Sequence, residues 1–153
     1  MDPLSVTASV IAVIQLTGSV ISAVYNYRKG VKNAPEDAAK IIQDLTGLSH
    51  ILEKLLQMIE SEQSNKEARL ASLEGLVKPD GPLQLCRETL ESLNAKLQPD
   101  NGWRAVKQSL MWPLKKDYIN NTLDQIATAK ETIGLALTVD LMWVFLSHNL
   151  EHC

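Results

Sequence analysis

The chain has 153 residues, 45% hydrophobic and 22% charged, with seven Gly and six Pro; these values suit one globular domain and exclude wholesale disorder or a collagen-like chain. Aromatics make up only 5%, so the core is aliphatic, and fifteen Lys and Arg against eighteen Asp and Glu leave a net charge of −3, which gives no global electrostatic case for nucleic-acid binding. The charge is unevenly placed: from Pro3 to Tyr27, 25 residues, there is no Asp, Glu, Lys or Arg.

Asp2 and Pro3 predict a helix start, because Asp caps free backbone N–H groups and Pro fits the first turn without losing a hydrogen bond. A first helix from about Pro3 to Lys29 follows. At 1.5 Å per residue the uncharged tract reaches roughly 37 Å as a helix, enough for a hydrocarbon core of about 30 Å. No basic n-region precedes it, so secretion by a signal peptide is not expected. Nine Val, Ile and Leu residues between Val6 and Val24 favour insertion by roughly 3–5 kcal/mol, and interspersed Ser, Thr, Gln, Gly and Asn largely cancel that gain. The tract is therefore balanced between lipid and a soluble bundle, and the bundle is the expected resting state. Val6, Val10, Val13, Val20, Ile21 and Val24 share one side of the wheel, and Ser5, Ala8, Ala12, Ser19, Ser22 and Ala23 the other. Small residues at four-residue spacing let another backbone approach closely.

Gly30 and Asn33-Ala34-Pro35 end that helix, and Glu36 and Asp37 open a second near the positive end of its dipole. Ile41, Leu45, Leu48, Leu52, Leu55 and Ile59 recur at alternating four- and three-residue spacing, a heptad-like seam. Ser61 to Asn65 reads as a loop, Lys66 to Val77 as a short helix, and Pro79-Asp80-Gly81-Pro82 as a turn. Leu83, Cys86, Leu90, Leu93 and Leu97 mark a third long helix, closed by Pro99-Asp100-Asn101-Gly102. Trp103 to Trp112 is expected to be helical and basic, and Pro113 interrupts it before a last helix from about Lys115 to Asn149, with Ile119, Leu123, Ile126, Ile133 and Leu137 on its apolar face. No segment alternates convincingly with period two, so the expected fold is all-α: residues 1–153 as a single antiparallel four-helix-type bundle with one or two short linking helices.

Chemistry is sparse. Phosphate-binding glycine loops, zinc-protease motifs, nucleophile elbows and Cys-x-x-Cys pairs have no match, so neither an enzyme nor a cofactor is expected. Cys86 on an apolar stripe reads as a buried thiol in a reducing cytosol. His148, His152 and Cys153 fall close together near the C-terminus, but exposed terminal residues explain them better than a metal site, which needs more ligands. Asp140 is the only charge between Glu131 and Glu151, and a carboxylate there must find a partner or reach water; a polar latch between helices is the sharper reading, a solvent-facing position the plainer one. Arg28, Lys29 and Lys32 follow the first helix, and Arg104, Lys107, Lys115 and Lys116 surround Trp103 and Trp112. Both clusters suit an anionic membrane surface, at about 1 kcal/mol per cation near the lipid, and equally suit a solvated face around buried tryptophans.

The opening Met1-Asp2-Pro3-Leu4-Ser5-Val6-Thr7-Ala8-Ser9-Val10-Ile11-Ala12-Val13 resembles the start of the fungal HeLo-like N-terminal domains of STAND (NOD-like receptor) proteins. Gly81-Pro82-Leu83, the stretch Leu110-Met111-Trp112-Pro113-Leu114-Lys115-Lys116 and the ending Ala136-Leu137 with Asp140 are also similar to that family. The resemblance implies a helical effector of regulated cell death or heterokaryon incompatibility, cytoplasmic at rest and at the plasma membrane when active. It further implies self-association and pore formation through the N-terminal helix, with a NOD-like receptor or an amyloid-signalling motif as partner. Those family members carry nucleotide-binding and repeat regions or an amyloid tail that the 153 residues do not contain, so an excised domain and a stand-alone member are both compatible. On this reading Leu4, Val6, Val10, Ile11, Val13, Ile14, Val20, Ile21 and Val24 insert, and Arg28, Lys29, Lys32, Arg104, Lys107, Lys115 and Lys116 meet anionic lipid. The alternative is a soluble helical adaptor that uses the same seams and never enters lipid.

Overall fold

Heptad spacing accounts for all four helices of the computed structural model, which describes residues 3–30, 36–60, 73, 75–98 and 114–151, with side chains described for 6–28, 36–60, 73, 75–98, 114–139 and 149. Helix α1 runs Pro3–Gly30, α2 Glu36–Glu60, α3 Pro82–Leu97 and α4 Lys116–Glu151. In α1 the buried residues are Val6, Val10, Val13, Thr17, Val20, Val24 and Tyr27, each four or three positions after the last. The same alternation places Ala38, Ile41, Leu45, Leu48, Leu52 and Leu55 of α2 and Leu83, Cys86, Leu90, Leu93 and Leu97 of α3 in the core, while Ile59, the last residue of the expected α2 seam, is only half-buried. Such seams mesh when helices cross at a shallow angle, and each fully buried Leu or Ile contributes about 2 kcal/mol of gross apolar burial.

The seam of α4 corrects the sequence expectation at two positions. Ile119, Thr122, Ile126, Ala129 and Ile133 are buried, while Leu123 and Leu137 are only half-buried. The register set by Ile119, Ile126 and Ile133 carries Thr122 and Ala129 inward and leaves Leu123 one position off the seam. Side-chain size therefore ranks below helical phase in deciding which face turns inward.

Helix α1 packs on α2 and α3, and α4 packs on the same two, so α1 faces α4 across one diagonal and α2 faces α3 across the other. The short connection 31–35 makes α1 and α2 antiparallel neighbours. The longer connection 61–81 joins α2 to the diagonally placed α3; within it Leu73 and residues 75–77 are helical, and Leu73 and Leu76 are buried. The rest of the Lys66–Val77 helix expected from sequence, and all of the expected Trp103–Trp112 helix, lie outside the described residues. Helices α3 and α4 run antiparallel: along α3 from Thr89 to Ser92 and Lys96, the partners on α4 go back from Gln125 to Tyr118. The expected all-α antiparallel bundle is the observed one.

Helix α3 starts without a side-chain cap. Gly81 stands at the cap with an extended backbone, its N–H donates to Lys78 O at 2.8 Å, and Pro82 takes the first turn. A side chain at 81 has no room, since a Cβ there lies 2.8 Å from Gly75 O and 2.9 Å from Leu76 O. The helices also differ in length. The 36 residues of α4 span about 54 Å and the 16 of α3 about 24 Å, so the distal half of α4 runs well past the start of α3.

Candidate functional site: the outer face of the first helix

The feature that sets α1 apart is what it exposes. Among the described side chains, Ala8, Gln15, Gly18, Ser19, Ser22, Tyr25 and Asn26 are its solvent-exposed residues before Arg28, and none is charged. Exposed positions of α2 include Glu36, Lys40, Glu53, Lys54 and Glu60, and those of α3 include Arg87, Glu88, Glu91 and Lys96. A surface helix in water normally carries charge on its outer face, as α2 and α3 do. Val6–Arg28 has a mean hydropathy of 1.8 with 28% of its window buried, so by length and composition α1 suffices to cross a membrane.

The inner face of α1 is held by packing, with a hydrogen bond inside the helix at Thr17. Thr17 interrupts the valine seam and is completely buried, yet its hydroxyl donates to Val13 O at 2.7 Å, which removes the penalty of burying it. Tyr27 closes the seam, and burial raises its phenol above the usual range. On the outer face a groove of about 810 Å3 runs beside Gly18, Ser19 and Ser22 and ends against Leu97 and Gln98 of α3. A Cβ built on Gly18 meets nothing within 4 Å, so the backbone there is open to a neighbour.

The residues expected to insert are thus divided. Val6, Val10, Val13, Val20 and Val24 lie in the core, Ile11, Ile14 and Ile21 are half-buried, and the side chain of Leu4 lies outside the described residues. Contact of the valines with lipid requires α1 to leave the bundle. Thr17 and Tyr27 are the seam members that the sequence reading missed; the spacing Val13, Thr17, Val20, Val24, Tyr27 was their signal.

Among the basic residues, Arg28, Lys115 and Lys116 are exposed. The groove joins the C-terminal part of α1 to the end of α3, and the α3–α4 contacts join that end to the start of α4, so all three stand at one end of the bundle. Lys96 joins them there, its ammonium 4.4 Å from the centre of the Tyr118 ring, a contribution invisible to a reading that grouped basic residues by nearness in sequence. Glu36, Asp37 and Asp117 start α2 and α4 at the same end, so the cationic character is diluted. Lys29's side chain, Lys32, Arg104, Lys107, Trp103, Trp112, the C-terminal His152 and Cys153, and the side chains of Asp140 and His148 lie outside the described residues.

Cys86 is buried at the α3 seam as expected, and burial pushes its thiol up to about 12, so it carries no thiolate at neutral pH.

Compared with known proteins, residues 1–146 match the family described as pigment biosynthesis cluster protein PigL N-terminal. No curated protein and no solved structure matches the chain. Because the match runs from Met1 to Leu146, through all of α1, α2 and α3 and most of α4, the chain belongs to the PigL N-terminal family.

Proposed function

We propose that this chain is a HeLo-like effector domain of a fungal regulated cell-death pathway, which stores α1 in the bundle and delivers it to the plasma membrane on self-association. The observation that carries the reading is the outer face of α1, uncharged over its whole exposed length before Arg28. The similarity of residues 1–13 to HeLo-like domains supports the same reading. A helix near balance between water and lipid is held by its neighbours in the bundle and tipped by a modest change in them. Arg28, Lys96, Lys115 and Lys116 then face anionic headgroups at one end of the bundle, with the protein cytoplasmic until it assembles.

A soluble adaptor is the second reading, favoured by the groove beside Gly18, Ser19 and Ser22, which admits a partner helix without any lipid.

Vesicle flotation separates the two. Val13 is 2% exposed, so a charge there breaks the core; Ser19 and Ser22 are exposed and give a cleaner probe. An Asp near the centre of a membrane-spanning helix costs about 2.5–3.5 kcal/mol. Ser19→Asp is therefore expected to lower the fraction floating with anionic vesicles at least tenfold at unchanged thermal stability, while Gln43→Asp on the exposed face of α2 leaves it unchanged. Wild-type protein that stays at the bottom of the gradient even after enforced oligomerisation overturns the membrane reading in favour of the adaptor.

A further inference from the structure

A second groove, of about 890 Å3, lies between α3 and α4 and is separate from α1. Its volume falls in the range of small-molecule sites, roughly 300–1,000 Å3. The polar lining is biased toward hydrogen-bond acceptors. Thr89 donates its proton to Leu85 O at 2.8 Å, Thr128 to Asp124 O at 2.9 Å and Thr132 to Thr128 O at 2.9 Å. Each hydroxyl has a single proton, so oxygen lone pairs are what these three retain for anything entering the groove. The Thr89 hydroxyl also lies 2.9 Å from Gln125 Oε1, so its one proton is shared between Leu85 O and Gln125 Oε1. Among the described residues of the same lining, three carboxylates, Asp80, Glu88 and Asp124, stand against one cation, Lys78.

Two observations point to an occupant. Thr122 is 3% exposed, lines the groove, and has no hydrogen-bond partner among the described residues, whereas the other described threonines of α3 and α4 all bond back along their helices. A buried hydroxyl without a partner is costly and rare in folded proteins. In the wall beside it Leu85, a large apolar residue, is 56% exposed.

We propose that this groove binds a small organic cation, an ammonium group carried on an apolar body. The acceptor oxygens and the excess of carboxylates receive the ammonium, Thr122 supplies a buried oxygen, and Leu85 and Pro82 cover the apolar part. An anion of the same shape takes at most a hydrogen bond from Thr122 and a contact with Lys78, and otherwise meets the lone pairs of Thr89, Thr128 and Thr132 and three carboxylates, so it binds more weakly.

Amide-resolved NMR titration of the full chain with three probes of one shape tests this: phenethylammonium, 2-phenylethanol and phenylacetate. Saturable shifts centred on Thr89, Thr122 and Gln125 are expected with phenethylammonium, bound at least tenfold more tightly than phenylacetate, with the alcohol between. The double change Glu88→Gln and Asp124→Asn, both at exposed positions, is expected to cut the preference for cation over anion to under threefold. Thr122→Val is expected to weaken phenethylammonium at least threefold. Thermal melts confirm that each variant is folded. Absence of saturable shifts at these residues, phenylacetate binding as tightly as phenethylammonium, or an unchanged preference in the folded double variant overturns the proposal.

Discussion

The ammonium end of Lys130 on α4 lies over Gly47 on α2: a Cβ built at Gly47 comes 2.9 Å from Lys130 Nζ and 3.2 Å from its Cε. The two helices approach most readily where one of them lacks a side chain. Only the tip of a flexible side chain stands in the way, however, and alanine is favoured over glycine inside a helix by about 1 kcal/mol. Gly47→Ala is therefore expected to raise stability by about 0.5 kcal/mol in urea denaturation, with Lys130 swinging aside. Gly81 is the opposite case, since its added Cβ meets the carbonyl oxygens of Gly75, Leu76 and Lys78 at 2.8, 2.9 and 3.0 Å. Backbone cannot swing aside, so Gly81→Ala is expected to cost about 2 kcal/mol or more in the same assay.

Thr17 tests how far α1 depends on its apolar seam. Its hydroxyl is satisfied within the helix at 2.7 Å from Val13 O, so Thr17→Val exchanges one weak internal hydrogen bond for a buried methyl group of similar size. The change in unfolding free energy is expected to stay within about 1 kcal/mol. Thr17→Ala loses both hydrogen bond and volume and is expected to cost about 1–2 kcal/mol. If α1 is released to lipid, the same alanine variant binds anionic vesicles more readily than the valine one, because it loosens the bundle without changing the outer face.

Cys86 links stability to alkaline pH. Burial raises its folded-state value from 9.0 to about 12, so the folded chain keeps the proton that the unfolded chain releases. The stabilisation is complete below about pH 9 and is lost as pH rises toward 12, with a slope approaching about 1.4 kcal/mol per pH unit in that window. Tyr27, also raised by burial, adds a loss of the same sign above its ordinary value of 10.0. Thermal melts from pH 8 to 10.5 are expected to fall more steeply for wild type than for Cys86→Ala. Iodoacetamide at pH 8 is expected to leave Cys86 unmodified in the native protein.

Thr122 sets stability against binding. Removing a buried hydroxyl that has no partner among the described residues relieves its desolvation penalty, so Thr122→Val is expected to stabilise the ligand-free chain by about 1 kcal/mol, a rise of about 2–4 °C in Tm. A fall in Tm of similar size would show that the hydroxyl is satisfied within the fold.

Much of this architecture is already legible in the chain. Ile41 to Leu55 and Leu83 to Leu97 announce their helices because a repeat of three and four residues leaves only one face apolar, whatever that face packs against. The uncharged run of α1 is equally a matter of composition. Inside α4, by contrast, Leu123 drew the apolar face toward itself on side-chain type alone, and only the register of Ile119, Ile126 and Ile133 assigns Thr122 and Ala129 to the interior.

What the sequence by itself determined is the number and extent of the long helices, the seams of α2 and α3, and the absence of charge along α1, all of which depend on residues within one or two turns of each other. Tertiary structure decided the diagonal pairing, the single end that gathers Arg28, Lys96, Lys115 and Lys116 with three carboxylates, and the groove where Thr89 meets Gln125. Helical periodicity records which way a side chain faces on its own helix and carries no information about the helix opposite. That is settled by how four seams of different length pack at once.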